Sequence, residues 1–310
     1  MSLSSTKTFT VPDYDLSATL TSGQAFRWQF VHQSWVGVIN RRWVRLQARE
    51  SLLIAETAQP VSDWSWLVEY LQLNLDLDQV LRSFPVDEPM QAAVAACRGL
   101  HLLRQDPWEC LASFILSSTK QIVQIQQIIR ALCNCYGEPV PVPPGYPPAR
   151  AFPSPALLAA TNEAGLRACK MGFRAPYLLA AARRIALGEL DLSRLHHLPF
   201  ETARAELMAL PGVGRKIADC VLLFAYGFQS AFPVDVWVMK ALRQLYFPRR
   251  RANLQRLQRF AATHFGPNAG YAQQYLFHYM RTKFSLVQKR SKAKANAQSS
   301  KESWTRTAAN

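Results

Sequence analysis

From Phe9 to about Arg82, apolar and polar residues alternate in short runs, SGQAFRWQF, SWVGVI, RRWVRLQAR and SLLIAE, parted by turn-like breaks. A period of two marks half-buried strands, so this part of the chain is expected to form an antiparallel sheet. After it the period lengthens. DPWECLASFILSS opens with Asp106 as N-cap, Pro107 in the first turn and Glu109 three residues after the cap, which predicts a helix start. Helical spacing runs on to about Val287, broken by EPVPVPPGYPPARAFPSP, whose prolines exclude a helix and predict a connector or surface loop. FETARAELMAL and RKIADCVLLFAYG flank a Gly-Val-Gly turn, so this stretch predicts helix, tight hairpin, helix. The terminal KRSKAKANAQSSKESWTRTAAN is polar, basic and poor in core residues, and is expected to be a disordered electrostatic arm. No internal repeat is evident.

Composition narrows the class. A chain of 310 residues with 49% hydrophobic content can bury the cores of two or three structural units. No apolar run approaches a membrane span, and MSLSSTKTFTVPDY has no basic region followed by an apolar stretch. A soluble protein kept in a reducing compartment is therefore expected, with no membrane partner. Six scattered cysteines form no Cys-x-x-Cys pair, no Cys/His zinc pattern and no four-cysteine iron–sulfur spacing, so no cofactor and no catalytic metal are expected. The net charge of +15 is less ordinary. Gln288 to Asn310 holds six Lys/Arg against one Glu, so most of the excess belongs to the folded part, and a polyanion is the leading partner.

Candidate chemistry gathers around LPGVGRKIADC, Leu210 to Cys220. Gly212 and Gly214 permit unusual backbone and let another backbone approach. The N–H groups at the start of the following helix, with its positive dipole end, make an anion site that fits a nucleic-acid phosphate without reading any base. A plain turn between packed helices explains the glycines equally well. Lys216 lies in the first turn, where a positive charge is electrostatically disfavoured. A lone helical lysine is ordinarily solvated, yet a free amine here is a nucleophile able to attack a sugar C1′ or form a Schiff base. In FQSAFPVDVWVMKAL, Asp235 follows an extended Phe-Pro-Val and precedes a helical run. It reads as an N-cap, and a capping carboxylate on a cleft floor can also stabilise positive charge on a sugar ring.

LPGVGRKIADC followed by Pro-Val-Asp resembles the helix-hairpin-helix DNA glycosylases whose hairpin precedes a Gly/Pro-rich loop and a catalytic aspartate. Within them it is most similar to the 8-oxoguanine DNA glycosylase/lyase family. SGQAFRW, LLRQDPWECLASFILSS, MGFRAPY and GPNAGYAQQYLF also match in family order, over roughly residues 9 to 285. Pattern and resemblance together give an α+β fold with three spans: an N-terminal antiparallel sheet domain over 1–83, a mostly helical glycosylase region over 84–287 with the hairpin at about 200–227, and, from composition alone, a basic disordered tail over 288–310. The resemblance implies double-stranded DNA containing oxidised guanine as partner, a monomeric enzyme, and removal of 8-oxoguanine with an AP lyase step. Lys216 matches the nucleophile that displaces the base and remains as a Schiff base, and Asp235 the carboxylate that assists. Gly23 matches the carbonyl that accepts from N7–H of the lesion, Gln273 the reader of the Watson–Crick edge, and Phe277 and Cys220 the groups on the two faces of the base. By analogy, carbonyls of Met208, Leu210 and Val213 hold a structural cation that meets a phosphate, beside Gly212, Val213 and Gly214.

Several DNA-facing positions depart from the better-known eukaryotic pattern. Ser117-Ser118-Thr119-Lys120-Gln121 stands where two serines precede an Asn-rich triplet. Gln124 replaces an arginine that contacts the orphaned cytosine, while Arg174 matches its partner arginine. Phe173 stands in place of a tyrosine wedge. Trp237 and Met280 replace a histidine and its aspartate partner, and are expected to pack as an apolar pair. Relaxed choice of the opposite base is the expected result. Two other readings stay open: a glycosylase for alkylated bases such as 3-methyladenine, whose relatives lack the lysine and direct water with the aspartate, and a non-catalytic hairpin DNA-binding protein. A bacterial cytoplasm is the expected location, or a nucleus if the source is eukaryotic.

Overall fold

Residues 4–249 and 252–284 are described by a computed structural model of the chain. The strands β1 (Ser5–Thr10), β2 (Gln29–Val31), β3 (Ser34–Ile39), β4 (Arg42–Arg49) and β5 (Leu52–Thr57) form an antiparallel sheet in the order β1-β5-β4-β3-β2. Val31 pairs with Ser34 and Ile39 with Arg42, so β2–β3 and β3–β4 are joined by two-residue turns. His32, Gln33, Asn40 and Arg41 in those turns all have φ between +45° and +66°. Two positive φ values in succession give the mirror-image turn whose twist matches that of the strands it joins.

The alternating pattern overstated the strands in several places. Of SGQAFRWQF only Gln29–Val31 is strand. Residues 22–28 are irregular because the buried Gln24 does what a neighbouring strand would do. Its amide donates to the carbonyls of Thr19 (2.9 Å) and His101 (2.8 Å) and accepts from the Leu103 N–H (2.8 Å), and Gln105 donates to its backbone carbonyl (2.7 Å). Helices Leu16–Thr21, Ser65–Leu71 and Leu77–Arg82 also lie within the span read as alternating.

Both faces of the sheet are covered. Val44, Leu46, Leu53 and Ala55 pack on Leu16, Leu20, Leu67 and Leu71 on one side. Trp43, next to Val44 and so on the opposite face, meets Val140, Ala151 and Tyr146 from the proline-rich stretch, with the two ring centroids 4.8 Å apart. That stretch contains no helix between Gly137 and Ser154 and is laid against the sheet, where Glu138 pairs with Arg41.

The helical part is built around Pro107–Leu116, every residue of which from Cys110 to Leu116 is buried. Asp106 caps it as expected, accepting from the Glu109 N–H at 2.8 Å. The Glu109 carboxylate turns instead to Arg27, 3.1 Å away, and ties the sheet to the helical part. Helices Glu88–Cys97, Ile122–Tyr136, Pro155–Ala159, Glu163–Ala168, Ala175–Ala186, Phe200–Met208, Arg215–Val221, Val236–Leu245, Leu254–His264 and 269–284 make up the body around it. None of the described helices is long and apolar enough to cross a membrane. All six cysteines are free thiols. The basic stretch 288–310, and residues 285–287 before it, lie outside the described residues.

Candidate active site

The hairpin joins Phe200–Met208 to Arg215–Val221, which runs on as a π-helical turn over Leu222–Tyr226. Buried charge clamps the two helices together. Arg204 donates to Asp219 at 2.7 Å, the side chains being 7% and 3% exposed, and also reaches Glu201. Burial raises the pKa of Asp219, while the Arg204 guanidinium pulls it back down. The two glycines of the turn do different work. Gly212 has φ +77°, and a Cβ there would lie 2.5 Å from the Tyr177 ring. Gly214 has an ordinary φ of −92° and open space where a Cβ would stand, so it needs no special backbone and keeps the turn accessible. The helix ladder begins with the N–H groups of Ile217 and Ala218 on the Gly214 carbonyl, so the amides ahead of them point out of the turn. Gly212→Ala is expected to destabilise the fold by about 1–3 kcal/mol. Gly214→Ala should leave thermal unfolding close to the parent while weakening duplex binding, read by melting and by titration with DNA.

A cleft of about 500 Å³ opens beside the hairpin. Two helices line it at intervals of four residues, the spacing that puts side chains on one face. Lys216, Cys220 and Phe224 come from the second hairpin helix and its π turn, and Gln273, Phe277 and Arg281 from helix 269–284. Asp235 enters from the N-terminus of Val236–Leu245, where it accepts from the Val238 N–H at 2.8 Å. The Lys216 amine lies 3.3 Å from Ser117 Oγ and 5.2 Å from the centroid of the Phe114 ring. Burial raises the pKa of Asp235, opposed by the Val238 and Trp237 N–H groups and by the charges of Lys216 and Arg281. The Cys220 thiol is pushed up to about 12 by burial, so it stays neutral at ordinary pH. An amine, a half-buried carboxylate and an uncharged thiol thus share one chamber.

Opposite these groups stands the loop that bears Gly23. Its φ is +81°, and a Cβ would lie 3.0 Å from Ile122 Cδ1 and 3.2 Å from Phe277 Cε1, so only glycine fits. Gln24 anchors the loop from one side, and Gln274 donates to the Ser22 carbonyl at 2.9 Å from the other. Gln273 is 4% exposed, and its Oε1 has no hydrogen-bond partner among the described residues. An unpaired buried amide oxygen costs about 1–3 kcal/mol, which a ligand that supplies a donor recovers.

The DNA-facing candidates separate from this chamber. Arg174 is only 2% exposed, and its guanidinium donates to the Ser118 carbonyl and to Thr119 Oγ1 (2.5 Å) instead of facing outward. It holds Thr119 at φ +56°, a strained backbone for a β-branched residue. Phe173 is 52% exposed, with the Arg174 guanidinium 4.2 Å from its ring centroid. Gln124 sits on the exposed side of Ile122–Tyr136 and accepts from the Gln121 N–H at 3.1 Å, capping that helix. Trp237 lines the cleft, but its packing partner is Phe284, edge-on at 5.5 Å. Met280, expected beside Trp237, belongs to the main core because the helix turns it inward. Of the three carbonyls proposed for a cation, that of Leu210 already accepts from the Val213 N–H at 3.1 Å. Ser117 and Arg281 were not singled out from the sequence. Arg281 had a signal, since it follows Gln273 and Phe277 at intervals of four; Ser117 had none beyond lying in a matched segment.

Residues 8–111 match the N-terminal domain family of 8-oxoguanine DNA glycosylase, and residues 112–263 match the HhH-GPD superfamily of base excision DNA repair proteins. A relative from Methanothermobacter thermautotrophicus, named "Probable N-glycosylase/DNA lyase", is 30% identical over 300 residues, spanning 87% of this chain and 95% of that protein. The Clostridium acetobutylicum 8-oxoguanine glycosylase/lyase, solved with double-stranded DNA containing cytosine opposite 8-oxoguanine, superposes with a TM-score of 0.84 at 30% identity. That match covers 91% of this chain and 99% of the other. A structure of MBOgg1 with a low-affinity DNA ligand gives a TM-score of 0.83 at 34% identity, over 88% of this chain and 94% of that one.

Proposed function

Since the chain belongs to the 8-oxoguanine DNA glycosylase family of helix-hairpin-helix base excision enzymes, we propose that its cleft removes 8-oxoguanine from double-stranded DNA and then acts as a lyase through Lys216. The observation that carries this reading is the unpaired Gln273 Oε1 in the same chamber as an amine and a half-buried carboxylate. The outward amides just ahead of Ile217, beside Gly212, Val213 and Gly214, take a backbone phosphate, and the target nucleotide is turned out of the helix at a cost of a few kcal/mol. Gln273 reads the Watson–Crick edge. 8-Oxoguanine bears N7–H where guanine has an acceptor, so the Gly23 carbonyl attracts the lesion and repels the normal base. Phe277 and the neutral Cys220 thiol flank the two faces of the ring.

Chemistry follows from the pair beneath. Asp235 stabilises positive charge on the sugar as the glycosidic bond weakens, and the Lys216 nitrogen bonds to C1′ as the base departs with the bonding pair. Loss of a proton from the attached nitrogen and opening of the C1′–O4′ bond, with O4′ taking up a proton, turn this adduct into a Schiff base, from which loss of a C2′ proton expels the 3′ phosphate by β-elimination. The protein acts as a monomer in the compartment that holds the DNA, and the Met208, Leu210 and Val213 carbonyls support a cation at the phosphate. The test is a duplex with a single 8-oxoguanine, scored for base release and for a borohydride-trapped adduct. Release without trapping contradicts the lysine mechanism; no release contradicts the substrate.

The opposite base should matter little. Arg174 is spent on its own turn and Gln124 on a helix cap, so neither is poised over an orphaned cytosine. Single-turnover rates opposite C, A, G and T are expected to agree within about tenfold, or about 1.4 kcal/mol. A preference for C above about a hundredfold would overturn relaxed recognition and leave the enzyme assignment standing.

A further inference from the structure

The hydroxyl beside the Lys216 amine is oriented. Ser117 stands at the C-cap of Pro107–Leu116, and its Oγ donates to the Phe114 carbonyl at 2.7 Å. A serine hydroxyl owns one proton and two lone pairs. With the proton spent on Phe114, the oxygen can only accept from Lys216, whose nitrogen lies 3.3 Å away. The neutral amine has two N–H bonds and one lone pair, and the lone pair is the attacking orbital. An N–H committed to Ser117 turns that lone pair away from the serine, while the Phe114 ring, 5.2 Å from the nitrogen, walls another side. The open direction is the cleft.

We infer that Ser117 is a positioning residue for the nucleophile, holding Lys216 through an N–H that it can only accept and so aiming the nitrogen lone pair into the cleft. It makes no bond to carbon and gives up no proton. The inference rests on the reading of Lys216 as the attacking group. A C-terminal serine bonded to the carbonyl three residues back is a common local motif with no need of a lysine, so the test must separate orientation from helix capping.

The experiment compares Ser117→Ala and Ser117→Thr on two duplexes, one with 8-oxoguanine and one with a preformed abasic site, which needs the nucleophile but not base recognition. Ser117→Ala is expected to slow borohydride trapping on the abasic duplex by about 10–100-fold while duplex affinity stays within about threefold of the parent, because misaiming a reacting group costs rate rather than binding. Ser117→Thr keeps the hydroxyl and should trap within about threefold of the parent. Should the alanine variant fail to fold, Ser117→Val replaces it, being close in shape to threonine and lacking only the hydroxyl; the expected gap between Val and Thr is the same. Trapping by Ala or Val within about twofold of the parent, or an affinity loss equal to the rate loss, overturns the inference. If the parent traps abasic DNA but releases no 8-oxoguanine, the substrate reading fails and the Ser117 comparison still stands. No trapping by the parent on either duplex removes the nucleophile, and this inference with it.

Discussion

Lys216→Gln is expected to cut single-turnover release of 8-oxoguanine by at least ~10³-fold, the scale seen when a covalent nucleophile is removed. It should also abolish the borohydride-trapped adduct. Glutamine is nearly as long as lysine, and its amide can still donate to Ser117 Oγ, now 3.3 Å from the lysine nitrogen, so the local packing is kept while the nucleophilic lone pair is lost. Duplex affinity should therefore fall far less than rate, and a gel shift on uncut substrate checks it. The comparison also decides against the alkylated-base reading, in which the aspartate directs water. Undiminished release in Lys216→Gln would assign the chemistry to water and leave Asp235 as its director.

The second large effect belongs to Asp235. Asp235→Asn is expected to lower the rate by about 10²–10³-fold, the usual cost of removing one preorganised charge-stabilising group. Asparagine caps a helix as well as aspartate does, so the bond to the Val238 N–H at 2.8 Å survives and the loss is not one of folding. Stability should even rise at neutral pH. Burial raises the folded-state pKa of Asp235, so the folded protein binds its proton more tightly than the unfolded chain. The associated stability is fully present below the unfolded pKa and is lost as pH rises through the folded one, which means that the ionised carboxylate weighs against the fold at pH 7. Melting of Asp235→Asn and parent at acid and neutral pH checks this: the mutant's advantage should be confined to the higher pH. Activity depends on the same ionisation in the opposite sense, since only the carboxylate supports a cationic sugar. The acid limb of the parent's pH profile is expected above the ordinary aspartate range and should vanish in the asparagine variant.

The base-facing residues Gly23, Cys220, Gln273 and Phe277 were named only through the family resemblance, whereas the helix caps could be read from the residues themselves. Asp106 and Asp235 were readable as caps from their place before apolar runs, and both accept the expected backbone N–H. Gly212 was legible as a residue with backbone freedom, whereas Gly214 has an ordinary φ, and no local rule tells two glycines of one turn apart. The strand-like reading of SGQAFRW failed because Gln24 draws on His101 and Leu103, 77 and 79 residues further along the chain and outside any window of local alternation, as well as on nearby Thr19. Arg174 was placed among the DNA-facing positions by its match to a family arginine; its burial on the Ser118–Thr119 turn, where Thr119 takes a positive φ, had no signal in the local sequence. The proline-rich stretch was rightly excluded from helix, but its packing on Trp43 depends on the shape of a finished sheet.

The loop that bears Gly23 is pinned at Ser22 by Gln274, 252 residues further along the chain, and faces Phe277. During synthesis the ribosome therefore releases the hairpin and Lys216 well before the far wall of the base chamber exists. A chain stopped short of helix 269–284 would carry an amine with no means of choosing a base. The cleft is completed only by the last described helix, so on the proposed reading of Gly23 and Gln273 a translated fragment would lack the means to tell damaged from normal guanine.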